Sequence, residues 1–299
     1  MQNDHVPVGS VGIWTFNLEL VPSAQAQEHV AELEELGYPA VWIPEALGRE
    51  AMSHAALLLA GSKSIVVCTG IASIWARDAM AMNAAHNTLT EAHPNRFLLG
   101  IGVSHQPMVD AVRGQRYSRP LSTMREYLDR MDSAVFMAAP PSHAPQRVLA
   151  ALGPKMLALA AERSAGAHPY FVPVEHTPFA REALGQGPLL AVEQAVVLET
   201  DPHRAREIAR KHTGVYTSLP NYTNNLRRFG FGDEDFNGAG SDRLIDAIVA
   251  WGGPDAVIDR VRSHLDAGAD HVCVQVIGDH STEVPVREWR ELAPALTTM

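Results

Sequence analysis

Between Ile65 and His105 the chain reads IVVCTGIASIWARDAMAMNAAHNTLTEAHPNRFLLGIGVSH, two short apolar runs that each end near glycine with one helix-length segment between them. The first run, Ile65 to Thr69, is β-branched and continuous rather than alternating, the pattern of a strand covered on both faces by helices. Asp78 suits an N-cap, and Met82, His86 and Leu89 fall on one stripe of the helix it opens. Phe97 to Ile101 is the second run, so the unit is a strand, a crossover helix and a parallel strand. Strands buried in this way place ligands outside their carboxyl ends. Ala72 to Arg77 and Gly102 to His105 are therefore expected side by side on one functional face.

The same grammar continues along the chain. Pro22-Ser23 opens a helix whose Val30, Leu33 and Leu36 make a core stripe and which Gly37 closes. EELGYPAVWI recurs as LDAGADHVCVQV and, more loosely, as AERSAGAHPYFV, each a helix end, a glycine and a strand. Strands are predicted near 8 to 14, 40 to 44, 65 to 69, 97 to 101, 147 to 152, 167 to 172, 189 to 197 and 270 to 277. About eight strands with helices between them favour an α/β fold of the (β/α)8 TIM-barrel type over an open sheet. One domain spanning residues 1–299 is expected, with insertions near 105–146 and 201–250. The first insertion holds a loop rich in Arg and Pro and a helix from Pro120 with Leu121, Met124, Leu128 and Met131 inward. The second starts at Asp201, a cap followed by Pro202, and includes the irregular pieces NYTNN, FGFGDED and NGAG, expected to form a lid or a substrate wall.

Composition narrows the classes. A chain of 299 residues that is 46% hydrophobic can bury a large core. Its net charge of −10 argues against a nucleic-acid or membrane surface. Cys68 and Cys273 both sit in apolar strand runs without metal-ligand spacing and read as reduced core thiols, which favours a cytoplasmic protein. The stretch MQNDHVPVGS has no basic region followed by an apolar core, and no run approaches a membrane span, so a soluble, unexported protein is expected.

Candidate chemistry collects at the predicted strand ends. Glu45 follows the second strand; a carboxylate at an apolar rim either pairs with a cation or has its pKa raised, and both outcomes serve proton transfer. His105 follows the fourth strand directly. Gly153-Pro154 turns into a helix beginning Lys155-Met156, where exposed N–H groups and a lysine make an anion site. His168, Pro169 and Tyr170 approach the same face. Arg49, Arg77, Arg116 and Arg119 read as solvated surface groups. No Rossmann fingerprint, Walker loop, G-x-S-x-G elbow or HExxH pair is present in the sequence, so no metal is expected and serine hydrolysis is disfavoured.

In order, VGIWTF, VWIPEALGRE, TGIASIWARD, NRFLLGIGVSH, ALGPKMLALAAE, GAHPYFV and AGADHVCVQV resemble the luciferase-like monooxygenase superfamily, and within it the branch that uses the deazaflavin coenzyme F420. The resemblance implies a TIM barrel with the coenzyme across the carboxyl ends of the strands. It further implies a non-proline cis peptide, or a bulge, behind the ring at Ala72-Ser73, with Gly102, Val103, Ser104 and His105 flanking it. Leu152, Gly153, Pro154, Lys155 and Met156, with Ala167, His168 and Pro169, would hold the ribityl phosphate and nearby groups. Relatives acting on sugar phosphates have an Asp-His pair where this chain has Glu45 and Ala46, and a glutamate where it has His105. The expected activity is hydride transfer between the coenzyme and an alcohol, carbonyl or activated alkene, with His105 or Glu45 handling the proton and Trp14 and Trp75 walling the pocket. The alternatives are an FMN-dependent monooxygenase on the same fold and a non-catalytic coenzyme carrier or sensor. A homodimer is an expectation from the resemblance, with the helix from Pro120 as a candidate interface.

Overall fold

The computed structural model describes residues 6–279 and 282–299, so Met1 to His5 of the amino-terminal stretch lie outside the described residues. Its strands are β1 (Val11–Trp14), β2 (Ala40–Ile43), β3 (Val66–Thr69), β4 (Ala72–Ser73), β5 (Phe97–Gly102), β6 (Arg147–Leu149), β7 (Gly166–Ala167), β8 (Leu189–Val197), β9 (Val249–Trp251) and β10 (His271–Val276). Eight of them close a parallel ring in the order β1, β2, β3, β5, β6, β7, β8, β10, with β10 returning to β1. Helices flank this ring, giving the (β/α)8 barrel that the apolar runs predict.

Side chains alternate across each strand. Trp42, Cys68, Leu98, Val148, Ala191 and Cys273 pack together inside the ring. Their neighbours Val41, Val67, Leu99, Leu149, Val192 and Val274 point outward into the larger cluster beneath the helices. Both cysteines are free and buried, and burial pushes their thiols up. The interior is not wholly apolar. The Trp42 indole N–H donates to His271 Nε2 at 3.0 Å, and His168 stacks on the Trp42 ring with centroids 4.4 Å apart.

Local signals place the helices as expected. Asp78 Oδ1 accepts the Ala81 N–H at 2.8 Å to cap Ala79–Ala92, and Asp201 caps Pro202–Tyr216 in the same way. Three strands are shorter by three residues or more than the apolar runs suggest, and β1 is one of them, beginning at Val11 rather than near residue 8. β6 stops at Leu149 and β7 at Ala167, because the residues that follow leave the ladder to line a cavity; Phe171, at φ 58°, turns the chain away from the ring.

Both segments expected to be insertions, 105–146 and 201–250, carry helices. The first carries a wide helical turn, Met108–Val112, and the helix Pro120–Asp132, whose Met124, Leu128 and Met131 are buried. The second carries the helices Pro202–Tyr216, Pro220–Leu226 and Asp242–Ile248. Ala205, Ile208, Leu226, Leu244 and Ile245 from these helices pack on Ala195 and Val197 of β8, which brings the NYTNN piece to the mouth of the barrel. Among the described residues no helix is long and apolar enough to cross a membrane.

Candidate active site

A cavity of about 400 Å³ opens at the carboxyl ends of the ring strands. Its back wall is made where β3 gives way to β4. Cys68 pairs with Leu98 and Ala72 with Ile101, four steps on this side against three on β5, so the chain carries a one-residue bulge. Thr69 fills the gap with its hydroxyl, which donates to Gly100 O at 2.7 Å and accepts the Gly100 N–H at 2.9 Å. Gly100 has to be glycine, since a Cβ there would lie 1.9 Å from Thr69 O. Thr69→Val keeps the volume but leaves a buried N–H and C=O unpaired. It is expected to destabilise the fold by about 2–3 kcal/mol in urea unfolding.

The non-proline cis peptide lies at Gly70-Ile71, not at Ala72-Ser73. The reason is the register: Ala72 and Ser73 have already rejoined β5, opposite Ile101 and Gly102, and are buried away from the cavity. Gly70 and Ile71 line it instead. The Trp14 indole N–H donates to Gly70 O at 3.1 Å, so the wall is held from the barrel axis as well.

Glu45 lines the cavity, yet its carboxylate is fully engaged. It accepts the Ser73 N–H at 2.7 Å and the Ala51 N–H at 3.1 Å, and it pairs with the Arg77 guanidinium. Arg77 reads as a surface group in the sequence and is in fact 10% exposed, bridging Glu45 and Glu50. His105 reaches the same cavity. Its Nδ1 is buried without a partner, its ring lies 5.3 Å from that of Tyr222, and Asn221, not Glu45, hydrogen-bonds it. Burial holds the His105 pKa below the ordinary value, and the Asn221 bond opposes that shift.

The remaining predicted residues divide. Val103, Ser104, Leu152, Gly153, Met156, His168 and Trp14 line the cavity, while Gly102, Pro154, Lys155, Ala167, Pro169 and Trp75 do not. Trp75 is a strut: its indole N–H donates to Val103 O at 2.8 Å, tying the segment after the bulge to the turn after β5. His168 bonds Ala191 O through Nδ1 at 2.9 Å, while Nε2 is buried without a partner. Burial pushes its pKa down to about 4, so the imidazole is neutral. Gly153 caps the helix Pro154–Arg163 as expected, but the cation over that helix start is Arg228 rather than the exposed Lys155. No cluster of potential metal ligands occurs among the described residues.

The family profile of luciferase-like monooxygenases matches residues 11–271. The chain belongs to this family. Among curated relatives, a Mycobacterium tuberculosis protein named as a coenzyme F420-dependent oxidoreductase is 30% identical over 196 residues, 56% of each chain. The match thus spans little more than half the length of that relative. A 5,10-methylenetetrahydromethanopterin reductase of Methanolobus tindarius is 26% identical over 305 residues, covering 86% of this chain and 93% of the relative. Among solved structures, an F420-dependent secondary alcohol dehydrogenase in complex with an F420-acetone adduct superposes with a TM-score of 0.77 at 14% identity, covering 96% of this chain and 98% of that one.

The residues that sequence reasoning missed come mostly from the second insertion of this family member. Tyr216, Asn221, Tyr222, Asn225 and Arg228 all line the cavity. The Tyr216 hydroxyl lies 2.9 Å from that of Tyr170, which donates to Gln275 Oε1 at 2.8 Å. The irregularity of NYTNN signals a functional segment, but nothing local in the sequence says which side chains face inward.

Proposed function

We propose that this protein is a coenzyme F420-dependent oxidoreductase that moves a hydride between the deazaflavin C5 and a small, mostly apolar alcohol, carbonyl or activated alkene. One observation carries the reading: an apolar cavity at the strand ends whose back wall is a bulge and whose buried polar atoms lack protein partners. Trp14, Ile71, Val103 and Met108 give it apolar walls. His105 Nδ1, His168 Nε2 and the Asn225 amide have no protein partner, as suits a wall that meets a heterocycle bearing its own donors and acceptors. The M. tuberculosis relative and the alcohol dehydrogenase structure, both named for this coenzyme, support the same choice.

When bound, the coenzyme supplies a carbon centre that exchanges two electrons as hydride. The chain's own residues do the rest. Glu45 fixes the bulge through Ser73 and acts as a positioning group. His105, neutral through burial, accepts the proton of an alcohol hydroxyl at Nδ1 and returns it in the reverse direction. Trp14, Ile71 and Val103 keep water from the reacting atoms.

The test is a fluorescence titration of purified protein with F420 and, separately, with FMN, followed by a hydride-transfer screen over alcohols and enones. Saturable F420 binding with weak FMN binding, and turnover of a screened substrate, is the expected result. Preference for FMN with oxygen consumption would replace this reading with a monooxygenase. F420 binding without turnover of any substrate would replace it with a carrier or sensor.

A further inference from the structure

We propose that Asn225 and Arg228, carried by the second insertion, form one jaw of an anion clamp. The other jaw is the start of the helix Pro154–Arg163, and the clamp takes the phosphoryl group of a ribityl-bearing coenzyme. The inference rests on the proposed function only for the identity of the coenzyme, since F420 and FMN share this phosphorylated chain.

Three observations converge on it. Asn225 is 3% exposed and lines the cavity, yet neither its Oδ1 nor its Nδ2 has a partner. A buried amide left unsatisfied on both atoms is a standing cost to the folded chain, and a phosphoryl oxygen at the cavity wall that accepts from Nδ2 relieves the donor's share of it. Arg228 also lines the cavity, and its guanidinium makes no hydrogen bond or ion pair among the described residues. Its Nη1 would lie 3.2 Å from a Cβ at Gly153, which puts the guanidinium over the first turn of the helix. That turn is the positive end of the helix dipole. Two positive features facing each other are unfavourable alone and become favourable with an anion between them.

Asn225 and Arg228 stand three residues apart on the turn that runs from Pro220–Leu226 into Arg227–Phe229, so both reach toward the same wall. Lys155 has the opposite disposition. It is exposed and does not line the cavity. His176, whose Nε2 bonds Leu152 O at 2.9 Å beside this site, is kept neutral by burial and adds no competing cation.

The experiment measures binding of F420, the ribityl deazaflavin that lacks its phosphoryl group, FMN, riboflavin and inorganic phosphate to the wild-type chain and to Arg228→Ala, Asn225→Leu and Lys155→Ala, with the thermal midpoint of each unliganded protein recorded alongside. Arg228→Ala is expected to weaken the phosphorylated coenzyme that binds by about tenfold or more, the scale of one charge-assisted contact. Its dephosphorylated form is expected to bind all variants alike, and inorganic phosphate to compete with the coenzyme in the wild type. Asn225→Leu is expected to weaken the phosphorylated coenzyme while leaving the unliganded midpoint unchanged or higher, because the substitution removes an unsatisfied amide at similar volume. Lys155→Ala is expected to change little. Equal losses for phosphorylated and dephosphorylated forms, or a loss on Lys155→Ala but none on Arg228→Ala, would overturn the clamp. So would the absence of binding by either phosphorylated coenzyme. FMN binding that depends on Arg228 would support the clamp while removing F420 from the proposed function, so the two failures are distinguishable.

Discussion

Glu45→Ala is expected to lower stability by about 3–5 kcal/mol, far more than loss of a rim carboxylate would cost. The side chain is 4% exposed and Arg77, its partner, 10%. Removing the carboxylate leaves the guanidinium largely buried with only the half-exposed Glu50 to face. It also strands the Ser73 N–H, which belongs to the segment that resumes pairing with β5 after the bulge. Glu45→Gln keeps an acceptor for Ser73 and loses only the ionic part, so it should fall between the wild type and Glu45→Ala. Urea unfolding of the three proteins measures this directly. Coenzyme affinity should fall in the same order, because the bulge that Glu45 anchors is the cavity's back wall. Full stability in Glu45→Ala combined with lost turnover would return Glu45 to the proton-carrying role that its position at a strand end suggests.

That contrast marks where the sequence is legible. Short continuous apolar runs bounded by turn residues read as strands covered on both faces, so the ring strands are legible in Ile65 to Thr69, Phe97 to Ile101 and their counterparts, while their pairing order is seen only in the folded ring. Asp78 and Asp201 announce their helices through chemistry that is local to one turn. The functional face is also local, since it follows from where the runs end. What is hidden is what depends on contacts between distant segments. The cis peptide falls two residues before the expected position because the Thr69 hydroxyl takes over the ladder to Gly100, a substitution that only the register of two strands reveals. Glu45 pairs with a cation, Arg77, that reads as solvated because its partner lies on another strand's loop. At the helix start the nearest cation in sequence, Lys155, turns outward, while Arg228 arrives from an insertion whose register against the barrel is set by its own small core.

Replacing His105 by Gln is expected to slow hydride transfer by about 10²–10⁴-fold while changing coenzyme affinity only slightly, the usual scale for a single acid-base group. The pH dependence carries more information than the size of the loss. Burial holds this imidazole below its ordinary value of 6.5, so it is neutral at neutral pH. Alcohol oxidation requires the neutral ring as acceptor, so its rate is flat through neutrality and falls only as pH drops through that depressed pKa. Carbonyl reduction requires the protonated ring and therefore rises over the same acidic window. Asn221 hydrogen-bonds the ring and favours its charged form. Asn221→Leu should therefore lower the pKa further and move the acid limb of alcohol oxidation to still lower pH, with little change in the plateau. A limb that stays in place would mean that Asn221 does not govern the proton on His105. A plateau unaffected by His105→Gln would mean that the proton leaves by another route, such as the hydroxyl pair of Tyr170 and Tyr216 beside the same cavity.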